Sequence, residues 1–178
     1  MDETTPEVTV RRAERRERIV FENLMQLYVH DFSEQWAGDI DPRGEVGPDG
    51  RFAPYPLAPY WRDADHLPYL IRAGADIAGF MLIDTHSHSG QPLDRNVAEF
   101  FVLRKHRRSG VGAVAAQIIF GRYPGLWEAA IARRNTGALV FWRKTVAGCA
   151  GVTGIEEIDC TGPDWNGPVI RFRIEGLA

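Results

Sequence analysis

The chain is short of several things, and each shortage excludes a class of protein. It holds two cysteines in 178 residues, Cys149 and Cys160, eleven positions apart and with no metal-ligand pattern around them. That excludes a disulfide-built scaffold and leaves two buried or incidental thiols as the simpler reading against a single bridge. No apolar run approaches the roughly 18 to 20 residues that a membrane helix needs, which sets membrane association aside. The opening stretch, MDETTPEVTVRR, lacks the basic-then-apolar order of a secretory signal. A cytoplasmic protein is the expectation. Charge of one sign is scarce as well: the net charge is −3, so the chain is no polycation and general nucleic-acid binding is disfavoured. Internal repeats and low-complexity tracts are also missing. What remains is 44% apolar and 25% charged residues, the balance of an ordinary globular protein, at a length that suits one domain over residues 1–178.

Periodicity divides the chain into elements. Val8 to Ala13 alternates and reads as a first strand. The stretch that follows carries apolar residues at Val20, Leu24 and Leu27 and at Phe21, Met25, Tyr28 and Phe32, a wide helical stripe. Between Gly38 and Tyr60 the texture changes, with five of the eleven prolines and glycines among them. This predicts a long loop with at most a helical turn, partly packed down through Phe52, Tyr55, Tyr60 and Trp61 and expected to order or move when a substrate binds. HLPYLIRA, DIAGFMLIDTH and VAEFFVLRK then read as three strands in meander order, the first two joined by a turn at Gly74. Next come a helix over GVGAVAAQIIFGR, with Val111, Val114, Ala115, Ile118 and Ile119 on one side, and a fifth strand, LWEAAIA. A further helix follows, with Leu139, Val140, Trp142 and Val146 toward the core, and then two final strands. The order predicts an α/β (α+β) fold, a mixed sheet of about seven strands with helices packed on it.

One stretch carries chemistry. RKHRRSGVG, Arg104 to Gly112, packs five basic side chains and two glycines into nine positions, between a strand and a helix. A basic turn there can be solvated, can bind nucleic acid, or can hold phosphate. The first N–H groups of a helix lack partners within it, and the helix dipole adds about half a positive charge at that end. Glycine lets the main chain approach an anion without a Cβ in the way. Neither the Walker pattern nor Gly-x-Gly-x-x-Gly is present. The pattern that remains is Arg107-x-x-Gly110-x-Gly112.

That pattern resembles the pyrophosphate loop of the GCN5-related N-acetyltransferases, the GNAT superfamily: Gln/Arg-x-x-Gly-x-Gly/Ala between the fourth strand and the following helix. A second stretch, NTGALVFWRK, is similar to the family's Asn-x-x-Ala-x-x-hydrophobic-aromatic helix after the fifth strand, through Asn135, Ala138, Phe141 and Trp142. The resemblance covers residues 67–146 closely and the rest permissively. It implies a GNAT-like, mostly antiparallel twisted sheet splayed between strands four and five, with acetyl-CoA or coenzyme A in the splay as co-substrate and no metal. Phe100, Phe101 and Val102 then contact the acetyl and pantetheine groups through the main chain. Arg107, Arg108, Ser109, Gly110, Val111, Gly112 and Ala113 wrap the pyrophosphate, Asn135 bonds the pantetheine arm, and Trp142 stands beside the cofactor. The plainer alternatives are a tight helix entry at Gly110 and Gly112 and a helix cap at Asn135. Arg143 and Lys144 serve either the cofactor's 3′-phosphate or solubility.

An amine is protonated at neutral pH and must lose a proton before it attacks a thioester. Glu99, just before the contact segment, is the candidate catalytic base, and Glu128 on the fifth strand the second candidate. Strand alternation alone leaves the face of Glu99 open, because a bulge would reverse it. Where the family often carries a tyrosine acid, this chain has Trp142, whose indole N–H is no usable acid. The general acid is therefore unassigned. His86 and His88 are spaced like metal ligands, but no third ligand accompanies them, and an exposed loop is the expectation. The implied acceptor is an amine of unknown identity, bordered by Tyr28, Asp31, Trp36, Tyr60 and Trp61, and the protein a monomer or homodimer. The rival readings are a non-catalytic acyl-CoA-binding module and a basic-loop RNA or DNA binder.

Overall fold

In the computed structural model, residues 7–34 and 44–176 are described. Seven strands form one sheet: β1 (Val8–Arg12), β2 (Leu67–Ala73), β3 (Asp76–Asp84), β4 (Arg95–Val102), β5 (Gly125–Ala130), β6 (Val152–Thr161) and β7 (Asn166–Ile174). Three helices accompany them: α1 (Arg18–Ser33), α2 (Val111–Arg122) and α3 (Thr136–Ala147). The strands lie in the order β1-β2-β3-β4-β5-β7-β6, with β4 and β5 parallel and every other neighbour pair antiparallel. The mixed seven-stranded sheet and the element order agree with the sequence reading.

Alternation along the strands assigns each face of the sheet a cover. Met81 and Ile83 of β3 point to the face under α2 and α3, where Trp127, Ile170, Phe172, Ala115, Ile119, Phe120 and Val146 complete one core. Phe80 and Leu82 point to the other face, under α1, with Phe21, Leu24, Met25 and Val29. The segment before β2 packs on that second core through Leu57 and Tyr60. Its anchor is Gln26 of α1, whose amide accepts from Phe52 N (2.9 Å) and donates to Phe52 O (3.2 Å). The part of the long loop from Gly44 onward is thus fastened to α1, with one helical turn at Ala58–Trp61; residues 38–43 of that loop lie outside the described residues.

Two details of the helices differ from the periodic reading. Val114 and Val140 are exposed, at 38% and 50%, whereas Ala116, Phe120 and Thr145 are buried. Each helix is rotated toward its larger aromatic neighbours, because Phe120 and Trp142 fill more volume than a valine can. The two cysteines are free thiols, with Cys149 buried.

Candidate active site

The sheet comes apart at one place. β4 and β5 pair over Arg95 with Trp127, Asn96 with Glu128 and Val97 with Ala129, and no further. From Glu99 to Val102, β4 stays paired with β3 but has no strand on its other edge among the described residues. Two adjoining cavities, of about 600 and 550 Å³, open along that edge. Both are bordered by Tyr28, Phe32, Phe100, Asn135 and Ala138, so they form one continuous cleft.

The smaller cavity ends at the start of α2. Arg108 and Gly110 have positive φ, 63° and 83°, and turn the chain so that α2 begins at Val111. The N–H groups of Val111, Gly112 and Ala113 precede the first helical bond, Val114 N to Gly110 O (3.0 Å). A Cβ on Gly112 would stand 3.3 Å from both Phe141 and Val102 and 3.5 Å from Phe100, so glycine sets how closely the helix approaches the cleft wall. That wall is aromatic: Phe100 stacks on Phe141 with ring centres 5.5 Å apart, and Trp142 tilts against Phe100 at 5.1 Å.

The basic side chains of this turn are largely engaged. Arg104 bonds Asp31 through Nε at 3.0 Å, Arg107 pairs with the same carboxylate, and Lys105 reaches Asp76 at 2.7 Å. Burial pushes the Asp31 carboxyl up, but the hydrogen bonds from Arg107 and Arg104 outweigh it, and its pKa falls below the ordinary aspartate value. Arg107 also donates to Val102 O at 2.6 Å. Its guanidinium therefore braces the turn against α1 and β4.

Of the residues proposed for the cofactor, Phe100, Phe101, Val102, Arg107, Arg108, Gly110, Gly112, Ala113 and Asn135 border this cavity. Trp142 borders the larger one. Ser109 and Val111 border neither: the Ser109 hydroxyl donates to His106 O at 2.8 Å, and the Val111 side chain is buried in the core. Asn135 Oδ1 caps α3 by accepting from Ala138 N at 3.1 Å. Arg143 is held by Glu157 at 2.7 and 2.8 Å rather than turned to the cleft.

The larger cavity is built around Glu99. The register between β3 and β4 slips so that Leu82 faces Glu99 while Ile83 faces Val97, which leaves Ala98 as a bulge. The bulge turns Glu99 to the face of Leu82, under α1, instead of the face of Val97. There the Tyr28 hydroxyl donates to the Glu99 carboxylate. Tyr55 approaches from the anchored loop and borders the same cavity; burial first, and then the Glu99 charge, pushes its phenol well up.

The sequence reading missed much of this lining, including Tyr55 near Glu99 and Phe32, Pro54, Pro56, His88 and Trp165 as walls. No periodicity marks a residue that reaches a site from a loop. Conversely, Tyr60 and Trp61 do not border the cleft. Tyr60 is buried against His66, and Trp61 packs edge-on against Phe21 at 5.5 Å. Asp31 borders the smaller cavity, paired with Arg104 and Arg107, and Trp36 lies outside the described residues.

Glu128 is not free to serve as a base. It is fully buried, paired with Arg171, and accepts from Ser89 Oγ and from His88 N at 3.0 Å. It fastens the β3–β4 connection to the sheet. That connection is in part the exposed loop the sequence suggested, with Thr85, His86 and Gly90 exposed, but the Glu128 anchor draws its middle in and sets His88 against Trp165, with rings 4.7 Å apart. Burial and the neighbouring His86 lower the His88 pKa, while Asp84, Glu128 and Asn96 oppose the shift. The described residues contain no cluster of three or more metal-ligating side chains and no helix long and apolar enough to cross a membrane.

No protein-family model matches the sequence, and no curated protein does. Solved structures do. An acetyltransferase from Thermus thermophilus superposes with a TM-score of 0.59 at 11% identity, over 93% of this chain and 94% of that one. A GNAT-family acetyltransferase from Staphylococcus aureus gives 0.57 at 10% identity, over 95% and 100%. A spermidine N-acetyltransferase chimera of Vibrio cholerae and human sequence gives 0.54 at 9% identity, over 94% of each. At these identities the likeness establishes the fold: the chain has the GNAT fold, splayed where the sequence resemblance implied.

Proposed function

We propose that the protein is an N-acetyltransferase that moves an acetyl group from acetyl-CoA to a primary amine. The observation that carries this reading is the cleft where β4 leaves β5, which runs without a break from the amides at the start of α2 to the carboxylate of Glu99. The residues present suit such a ligand. A long, thin phosphate-ended chain needs an extended edge of main-chain donors and acceptors, which β4 offers from Ala98 to Val102. Its pyrophosphate needs amides without side chains in front, which Gly110, Gly112 and Ala113 supply at the positive end of the helix. The donor contributes a thioester: the amine nitrogen bonds the acetyl carbon, the C–S bond breaks, and sulfur leaves with the electron pair.

The protein's part is to position and to move protons. Glu99 takes the proton that the ammonium group must shed, directly or through water, and its carboxylate is held by the Tyr28 hydroxyl. An amide N–H on the open edge of β4 stabilises the oxygen that gains charge as the amine adds. Trp142 cannot protonate the leaving sulfur. A thiolate with a pKa near ~8.5 departs without much help, so solvent suffices for that proton.

Trp142 in place of the expected tyrosine also favours a second reading, a module that binds acyl-CoA without turnover. Two measurements divide the readings. Calorimetry should detect CoA binding by the parent protein, weakened roughly a hundredfold in Gly110→Glu, the scale of losing two charge-assisted hydrogen bonds. The substitution forces a side chain into a left-handed backbone position, φ 83°, and sets a like charge before the phosphates. Undiminished binding would refute the phosphate site. Release of free thiol from acetyl-CoA in the presence of an amine separates catalysis from binding alone.

A further inference from the structure

The walls of the larger cavity bear on the acceptor. Around Glu99 they are Tyr28, Phe32, Pro54, Tyr55, Pro56 and Trp165, an apolar and largely aromatic enclosure. Among the described residues Glu99 is the one carboxylate that borders it. The neighbouring acids are committed elsewhere. Glu128 is buried against Arg171, and Asp31 holds Arg104 and Arg107 at the far end of the cleft. Asp84 accepts from Asn96 at 2.9 Å and, though its charge reaches Tyr55, borders neither cavity. His88, the remaining titratable wall residue, is kept toward its neutral form by burial.

From this distribution we infer that the acceptor is a monoamine: one ammonium group on an apolar, aromatic-sized body. The inference rests on the acetyltransferase reading and specifies its substrate. One ammonium finds the carboxylate of Glu99 and the faces of Tyr28 and Tyr55, which attract a cation through their ring quadrupoles. The rest of the molecule exchanges water for Phe32, Pro54, Pro56 and Trp165, a gain of about 25 cal/mol for each Å² of apolar surface covered. A polyamine brings second and third ammonium groups that these walls would strip of water without offering a counter-charge. A lysine flanked by other basic residues carries the same burden.

The test is thiol release from acetyl-CoA with three acceptors: 2-phenylethylamine, spermidine and a lysine-containing basic peptide. The expected result is a kcat/KM for 2-phenylethylamine at least about tenfold above either of the others, a preference of about 1.4 kcal/mol. Phe32→Asp, which adds a second carboxylate to the wall, should reduce that preference and raise turnover of 1,4-diaminobutane relative to 2-phenylethylamine. A parent protein that prefers spermidine or the peptide overturns the monoamine inference and leaves acetyl transfer standing. CoA binding without turnover of any amine overturns the acetyltransferase reading, and the monoamine inference with it.

Discussion

Glu99 and Glu128 are the same residue on neighbouring strands, close to the same cleft, and they have opposite fates. Glu128 lies where β4 and β5 are still paired, opposite Asn96, and is surrounded by Arg171, two serines and the backbone of the β3–β4 connection. Its charge is spent on holding a loop. Glu99 lies past the last β4–β5 pair, beside a bulge, and meets phenol hydroxyls at the wall of a cavity. The pairing of the sheet, rather than the residue type, decides which carboxylate is locked among sheet partners and which borders a cavity.

The largest effect that sharpens this contrast falls on stability. Glu128→Ala leaves the Arg171 guanidinium, 5% exposed, without its counter-charge. Loss of one partner of a buried pair costs about 3–5 kcal/mol. For a chain of this size that lowers Tm by about 6–20 °C, measurable by thermal denaturation. Glu128→Leu with Arg171→Met should recover much of the loss, because no lone buried charge remains. If Glu128→Ala melts like the parent, Glu128 is not the anchor described and returns as a candidate base.

A smaller effect probes the loop that Glu128 secures. His88 has a folded pKa below its ordinary 6.5 because burial disfavours its charged form. Its contribution to stability is therefore present above pH 6.5 and is lost as pH falls through the lowered folded value. His88→Gln should flatten the fall in Tm between pH 7.5 and 5.5 by about 1–2 °C relative to the parent. Identical slopes would mean that His88 is not packed as described.

Much of this arrangement was legible from residue patterns. Alternation marked the strands from Leu67 to Ile174, and Arg107-x-x-Gly110-x-Gly112 between a strand and a helix marked the turn that borders the smaller cavity. The hidden parts arise from backbone register and from contacts distant in sequence. No residue type announces the bulge at Ala98, yet it selects the face of Glu99. Tyr28 is 71 residues from Glu99 and looked like one more member of a helical stripe. Asn135 illustrates a third difficulty: one side chain caps α3 and borders both cavities, so its two readings do not compete.

The most direct test is the turnover of Glu99→Gln at saturating acetyl-CoA from pH 6 to 9, with CoA affinity and Tm measured alongside. If Glu99 accepts the amine proton, kcat falls roughly 10²- to 10⁴-fold, the usual range for a general base. The loss is larger at low pH, where neutral amine is scarcest, while CoA affinity stays near the parent's because the proposed cofactor site uses main-chain atoms, and Tm stays near it because the amide keeps the shape of the carboxylate. Parental turnover across that range would contradict the assignment and make Glu99 a structural residue.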